Sequence, residues 1–297
     1  MLPALASAQT ITGIRYKDHV FAKVTELKDQ RYDNGQDKKD KAHLFDLYTP
    51  EGDTHTGRPL IIWMHGGGFK FGSKDAKGVE LWSRDFAQRG YVAVSLNYTL
   101  SKKFPIFNFD ELLRSAYFAV QDLHEAVAYF KKNHTRYGID PDQIFLAGNS
   151  AGGMIALQAA FVSNATLAKF VNLPDTVAGA KITTIPKAAG VINFWGGIFD
   201  LNWLKNSRTP VFTVHGSTDG TLSPTHKDAP LYGSIDIHQK ADEIGLPNGI
   251  KIFEGYSHEL QKHFNPVFGV GKGTKQRWME ASDLAAKFMY QQVLSKK

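Results

Sequence analysis

Short, uninterrupted apolar runs alternate along this chain with longer stretches in which apolar residues recur every three or four positions. The runs at 59–65, 91–98, 143–147, 188–195, 211–215 and 250–254 have the form of strands buried on both faces of a parallel sheet. Helical spacing marks 77–88, 111–137, 235–244, 275–294 and the segment just after Ser150. Toward the N-terminus the pattern is different. Apolar and polar residues alternate from Ile11 to about Asp33, predicting one or two strands, and a further strand at 42–48 ends at Pro50. Residues 163–186 form a mixed segment without sheet periodicity. Strands alternating with helices predict one α/β domain over residues 9–297, with a mostly parallel, doubly wound sheet flanked by helices and antiparallel strands at its N-terminal side.

A chain of 297 residues with 42% hydrophobic content is long and apolar enough for one such domain. The net charge of +6 comes from scattered lysines, and the densest cluster, Lys38, Lys39 and Lys41, is interrupted by acids. That is a solvated basic surface and not a nucleic-acid-binding stripe. The chain has no cysteine, which excludes disulfides, a thiol nucleophile and thiolate-bound metal. Residues 1–8 resemble the end of a secretory signal, with Ala6-Ser7-Ala8 as its cleavage site, so an exported protein maturing near Gln9 is expected. No segment has the apolar length of a membrane span.

The most telling local pattern is Gly148-Asn149-Ser150-Ala151-Gly152, set between an apolar strand and a helix-forming segment. This is the form of a nucleophile elbow. The turn strains the serine backbone, and side chains two positions away on either side would collide with the neighbouring strand and helix. The hydroxyl then stands at a helix N-terminus, where backbone N–H groups meet negative charge.

A serine needs a base, and the base needs an orienting carboxylate. With the order Ser–acid–His, both partners lie downstream, on loops after later strands. His258 follows the strand at 250–254 and Gly255; Asp219 follows the strand at 211–215 in the same way. Asp200 is the rival acid, since it also follows a strand end, and Asp228 and Asp236 are weaker ones. Of the competing bases, His215 lies at the end of a buried strand, and His226, His238 and His263 lack the strand–Gly–loop setting of His258.

Attack on a carbonyl creates an oxyanion that fixed donors must meet. His65-Gly66-Gly67-Gly68-Phe69 follows a buried strand and lets the backbone approach closely. The N–H groups of Gly67, Gly68 and Ala151 are therefore assigned as the oxyanion hole, with His65 holding the loop by hydrogen bonding.

Taken together, Leu47-Tyr48-Thr49-Pro50, His65–Phe69, Leu96-Asn97-Tyr98, residues 137–142, Gly148–Gly153, His215–Asp219 and Gly255–His258 resemble the α/β-hydrolase superfamily. Within it, the chain is similar to the serine carboxylesterases with an HGGG loop, of the feruloyl/acetyl-esterase-like and hormone-sensitive-lipase-like groups. The resemblance implies Ser150 as nucleophile, Asp219 as acid and His258 as base. Two positions depart from the family pattern: Asn149, where an acidic residue or Gln is frequent, and Thr99, where an arginine often follows Asn-Tyr. The strand-rich N-terminal region, in place of a helical cap, favours the feruloyl/acetyl-esterase-like side.

Residues 269–274 fail as a phosphate-binding loop, because Pro266 and Gly273 stand where glycine and a hydroxyl residue are required. His258-Glu259 with His263 is not a zinc motif, as the histidines are five apart. Neither metal nor cofactor is expected. Aromatic stretches at 104–109, 195–203 and 264–268 are candidates to line the substrate pocket, with Phe69, Phe107, Trp195 and Phe199 as binding residues. The expected reaction is hydrolysis of small to medium apolar or aromatic carboxylic esters through an acyl-enzyme. The alternatives are a secreted esterase acting on acetylated or feruloylated polysaccharide or on polyester, a peptidase, or a non-catalytic hydrolase fold that binds a partner.

Overall fold

The computed structural model describes residues 13–33, 40–173, 187–227, 231–265 and 270–296. Eight strands, β1 (Val24–Arg31), β2 (Leu44–Pro50), β3 (Arg58–Met64), β4 (Val92–Leu96), β5 (Ile139–Asn149), β6 (Gly190–Phe194), β7 (Val211–Gly216) and β8 (Asn248–Phe253), form one sheet. Their order is β1-β2-β4-β3-β5-β6-β7-β8. The β1–β2 and β2–β4 pairs are antiparallel, and all the others are parallel. This is the α/β-hydrolase architecture the sequence pattern predicts.

Alternation along the central strands divides the core in two. On β3, Leu60, Ile62 and Met64 join the cluster that includes helices α2 (Phe109–Lys132), α4 (Ala151–Phe161) and α5 (Asn164–Phe170). Ile61 and Trp63 join the opposite cluster, with α1 (Lys77–Gln88) and α7 (Lys272–Gln292). Each such side chain contributes about 2 kcal/mol by leaving water. A strand fully buried on both faces therefore has no reason to alternate polar residues.

The helix expected over 111–137 begins at Phe109, where the Asn108 carboxamide accepts the Glu111 N–H at 3.0 Å. It breaks at Asn133 and resumes as the single turn α3 (His134–Tyr137), which Gly138 closes in the left-handed region at φ 61°. The Asn133 side chain donates to the Tyr129 carbonyl, a local bond that competes with helix continuation. Within the segment read as mixed, α5 starts at a cap in which Ser163 Oγ accepts the Thr166 N–H. Upstream of β1, residues 14–18 fold as a turn closed on Asp18 and form no additional strand. The secretory-signal reading of residues 1–8 falls outside the described residues, as do Asp228, Pro266 and residues 267–268 of one expected lining stretch. Among the described residues no helix is long and apolar enough to cross a membrane.

Candidate active site

Strand β5 turns into α4 at Ser150, whose backbone sits at φ 52°, ψ −120°. The strain is held from outside: the Ser150 N–H donates to the Phe194 carbonyl on β6 at 2.8 Å. Close approach explains the flanking glycines. A Cβ on Gly152 would lie 2.0 Å from the Met64 carbonyl oxygen, and one on Gly148 would lie 2.3 Å from the Gly152 carbonyl carbon.

Over this turn three buried side chains form a hydrogen-bonded line. His258 Nε2 is 2.9 Å from Ser150 Oγ, and His258 Nδ1 is 2.7 Å from Asp219 Oδ2. The other Asp219 oxygen accepts the N–H groups of Thr221 and Leu222 at 2.8 and 3.0 Å. His215, at the end of β7, approaches the same carboxylate from below, with Nε2 3.4 Å from Asp219 Oδ2 and 2.9 Å from the Leu222 carbonyl. Its Nδ1 meets Ser234 Oγ at 2.7 Å, at the start of α6 (Ser234–Glu243). Burial opposes ionisation of Asp219, but hydrogen bonds from His215 and His258 outweigh it and hold the carboxyl well below the usual range.

The turn carrying His258 is clasped by α7. Trp278 Nε1 donates to the Glu259 carbonyl at 2.7 Å and Arg277 Nε to the Leu260 carbonyl at 2.8 Å. These bonds fix Glu259 and Leu260 at φ 55° and 57°, and burial raises the Glu259 carboxyl above its ordinary value.

On the other side of Ser150 lies the loop His65–Phe69. Gly67 adopts φ 116°, and a Cβ there would lie 2.2 Å from the Phe71 carbonyl oxygen. Among the described residues the N–H groups of Gly67, Gly68 and Ala151 meet no acceptor within the chain. The Gly66 N–H is different: it donates to Asn149 Oδ1 at 3.1 Å. His65 Nδ1 is 2.7 Å from the Gly66 carbonyl, and its ring stacks on Tyr98 with centroids 4.4 Å apart. Burial lowers the His65 pKa to about 4, so the ring is a neutral Nδ1–H donor that braces the loop. The Tyr98 hydroxyl donates to the His65 carbonyl, and Asn97 Oδ1 accepts the Lys74 N–H at 2.6 Å. The Leu96-Asn97-Tyr98 motif is thus a brace for the glycine loop.

Where the family often has arginine, Thr99 donates its N–H to Asp122 Oδ2 on α2 at 2.6 Å. That bond supports the loop without the arginine. The rival acid Asp200 is a helix cap, with Oδ1 accepting from the Asn202 N–H and Nδ2. The expected binding residues part company. Trp195 is 0% exposed and enclosed by Trp82, Phe194 and Trp278. It is a core residue and offers no surface to a substrate, a correction to the sequence reading. Phe199 is likewise buried, stacked on Phe170, and is corrected in the same way. Phe69 is buried beneath the glycine loop at φ 60°, where its carbonyl accepts the Ser101 N–H, and as a binding residue it is corrected too. Phe107 is 87% exposed. All three buried aromatics lie within a few residues of a strand's C-terminal end, where sequence cannot separate a pocket wall from the layer beneath it.

Sequence reasoning missed Asn149, Asp122 and the contact of His215 with Asp219. Only Asn149 carried a signal, as a departure from the family pattern. Among the described residues, Asp33, Asp40 and His43 have donor atoms close enough for a metal ion. Their charges are already matched: Arg31 holds Asp33 through Nε at 2.8 Å, and His43 Nδ1 lies 2.8 Å from Asp40.

The BD-FAE family model matches residues 45–206. The chain is 32% identical to an arylacetamide deacetylase of Bos taurus over 173 residues, covering 56% of this chain and 38% of that protein. It is 32% identical to a bile salt-activated lipase of Bos taurus over 133 residues, covering 41% and 22%. The chain thus spans about two fifths or less of the length of these curated relatives. Among solved structures, the propionate-bound Est2 esterase of Thermogutta terrifontis superposes with a TM-score of 0.63 at 20% identity, covering 89% of this chain and 93% of that one. That likeness is one of fold. With residues 45–206 matched across the glycine loop and the elbow, the chain belongs to the BD-FAE family.

Proposed function

We propose that this protein hydrolyses carboxylic esters through an acyl-enzyme on Ser150. The observation that carries the reading is the line Asp219–His258–Ser150, with 2.7 and 2.9 Å between its members, at a strained elbow beside the N–H groups of Gly67, Gly68 and Ala151. Relatives named as an esterase, a deacetylase and a lipase support acyl transfer to water as the reaction class.

In this reading Ser150 Oγ attacks the ester carbonyl while His258 Nε2 takes its proton. Asp219 keeps the Nδ1 proton of His258 in place and stabilises the imidazolium. The carbonyl oxygen becomes an anion that the three N–H groups receive. His258 then protonates the leaving alkoxide, and water, deprotonated by the same nitrogen, releases the acid and regenerates Ser150. Small to medium apolar or aromatic esters are the proposed substrates.

The test is hydrolysis of short p-nitrophenyl esters. Wild type should show turnover, and Ser150→Ala should lose it by roughly 10³-fold or more. Turnover that survives Ser150→Ala would remove the mechanism. A wild type inactive on every ester tried, yet binding a protein partner, would favour a non-catalytic hydrolase fold.

A further inference from the structure

Beside the glycine loop the chain exposes a group of large apolar side chains. Phe104 and Ile106 are 56% and 58% exposed, and Phe107, in the same short turn, is the most exposed large hydrophobic residue described. Phe71, 58% exposed, joins them with its ring centroid 6.2 Å from that of Phe104. The group adjoins the site: a Cβ on Gly68 would lie 2.5 Å from Ile106 Cδ1. Contiguous apolar surface of this kind marks a binding face.

The rim of the group is basic. Lys102 and Lys103 immediately precede Phe104 and are exposed. Lys70 Nζ sits 5.0 Å from the Phe104 ring centroid and bonds the Ser101 and Lys102 carbonyls, so its charge is fixed at the edge of the rings. Of the nearby acids, Glu111 accepts from the Ser101 hydroxyl at 2.5 Å and has its other oxygen 3.7 Å from the exposed Lys103 ammonium, which leaves Lys102 and Lys70 without a carboxylate partner among the described residues; Asp110 lies in the first turn of α2, where the helix N-terminus compensates it.

From this placement we infer that the face docks on an anionic lipid–water interface, so that the esters delivered to Ser150 are those held in such a surface. Two features choose this occupant. The rings are phenyl and the remaining side chain is aliphatic, suited to entering hydrocarbon; this turn has none of the hydroxyl or indole N–H groups that would hydrogen-bond a sugar face. The ammonium groups stand at the border of the apolar group, where anionic headgroups would lie. The inference rests on the ester-hydrolase reading and names the form in which its substrate is presented.

The experiment is co-sedimentation of Ser150→Ala protein, which leaves lipid intact, with vesicles of phosphatidylcholine alone or mixed with phosphatidylglycerol. Binding is expected to the mixed vesicles and to weaken with added salt. Lys102→Gln with Lys103→Gln should reduce partitioning roughly fivefold for each lysine. Phe104→Ser with Phe107→Ser should reduce it by about tenfold or more. No binding to either vesicle, equal binding to both, or undiminished binding by either double variant would overturn the inference. Preferential binding to feruloylated xylan over the mixed vesicles would overturn it as well. Sedimentation reads no turnover, so loss of docking and loss of the ester-hydrolase reading are seen separately.

Discussion

Asn149 Oδ1 accepts the N–H of Gly66 at 3.1 Å, which ties the residue before the elbow serine to the first glycine of the opposing loop. Both sides of the site are thereby held at one distance by a neutral carboxamide. Asn149→Ala removes the acceptor and frees the loop, so kcat on a soluble ester should fall roughly tenfold with KM little changed. Asn149→Asp keeps an acceptor but places a negative charge beside the developing oxyanion, and its kcat should fall at least as far. Steady-state kinetics on both variants, with the melting temperature as a control for folding, check this. A rise in KM at constant kcat would count against a role in holding the loop.

The choice between Asp219 and Asp200 is open to a direct comparison. Asp219→Asn leaves His258 without its carboxylate and should lower kcat by about 10³–10⁴-fold. Asp200→Asn keeps a capping oxygen over Asn202 and should leave kcat near wild type, with stability changed by about 0.5 kcal/mol or less. Equal losses in the two variants would contradict the assignment.

Gly152→Ala is expected to be the most damaging single-methyl change near the site. The new Cβ, on the first turn of α4, would meet the Met64 carbonyl oxygen 2.0 Å away, a backbone atom at the end of the central strand β3 that cannot step aside. Overpacking of this kind costs typically 1–3 kcal/mol, and more where backbone must move. The variant should melt well below wild type or fail to fold, whereas Gly220→Ala, with open space at its Cβ, should melt like wild type.

Two histidines set opposite limbs of the stability profile. Hydrogen bonding to Asp122, reinforced by Asp40 against the cost of burial, raises His43 from 6.5 to about 9. Its contribution is complete below pH 6.5 and is lost as pH rises through about 9. His65, lowered by burial to about 4, acts in the other direction: the unfolded chain takes up the proton first, so stability falls as pH drops from 6.5 toward 4. His43→Gln should therefore destabilise the protein by about 2 kcal/mol near pH 6 and by little above pH 9. Denaturant melts at both pH values measure the difference, and a pH-independent loss would exclude the ion-pair account.

Much of this protein is written locally. The apolar runs determine the strands because strands buried on both faces of a parallel sheet are mostly apolar on both. Gly148, Ser150 and Gly152 determine the elbow because nothing larger than glycine fits beside the turn. The strand–glycine–loop settings of Asp219 and His258 mark them as partners of Ser150, since ends of neighbouring parallel strands open on one edge of the sheet. Other features belong to the tertiary structure alone. Trp195 and Phe199 have the same local signature as pocket residues, and only packing against Trp82, Trp278 and Phe170 buries them. Asp122 supports Thr99 across 23 positions of chain, and Asn149 reaches Gly66 across 83. Neither bond leaves a periodicity or a motif, because a side-chain-to-backbone bond between distant segments depends on where the fold brings them and not on the residues beside them.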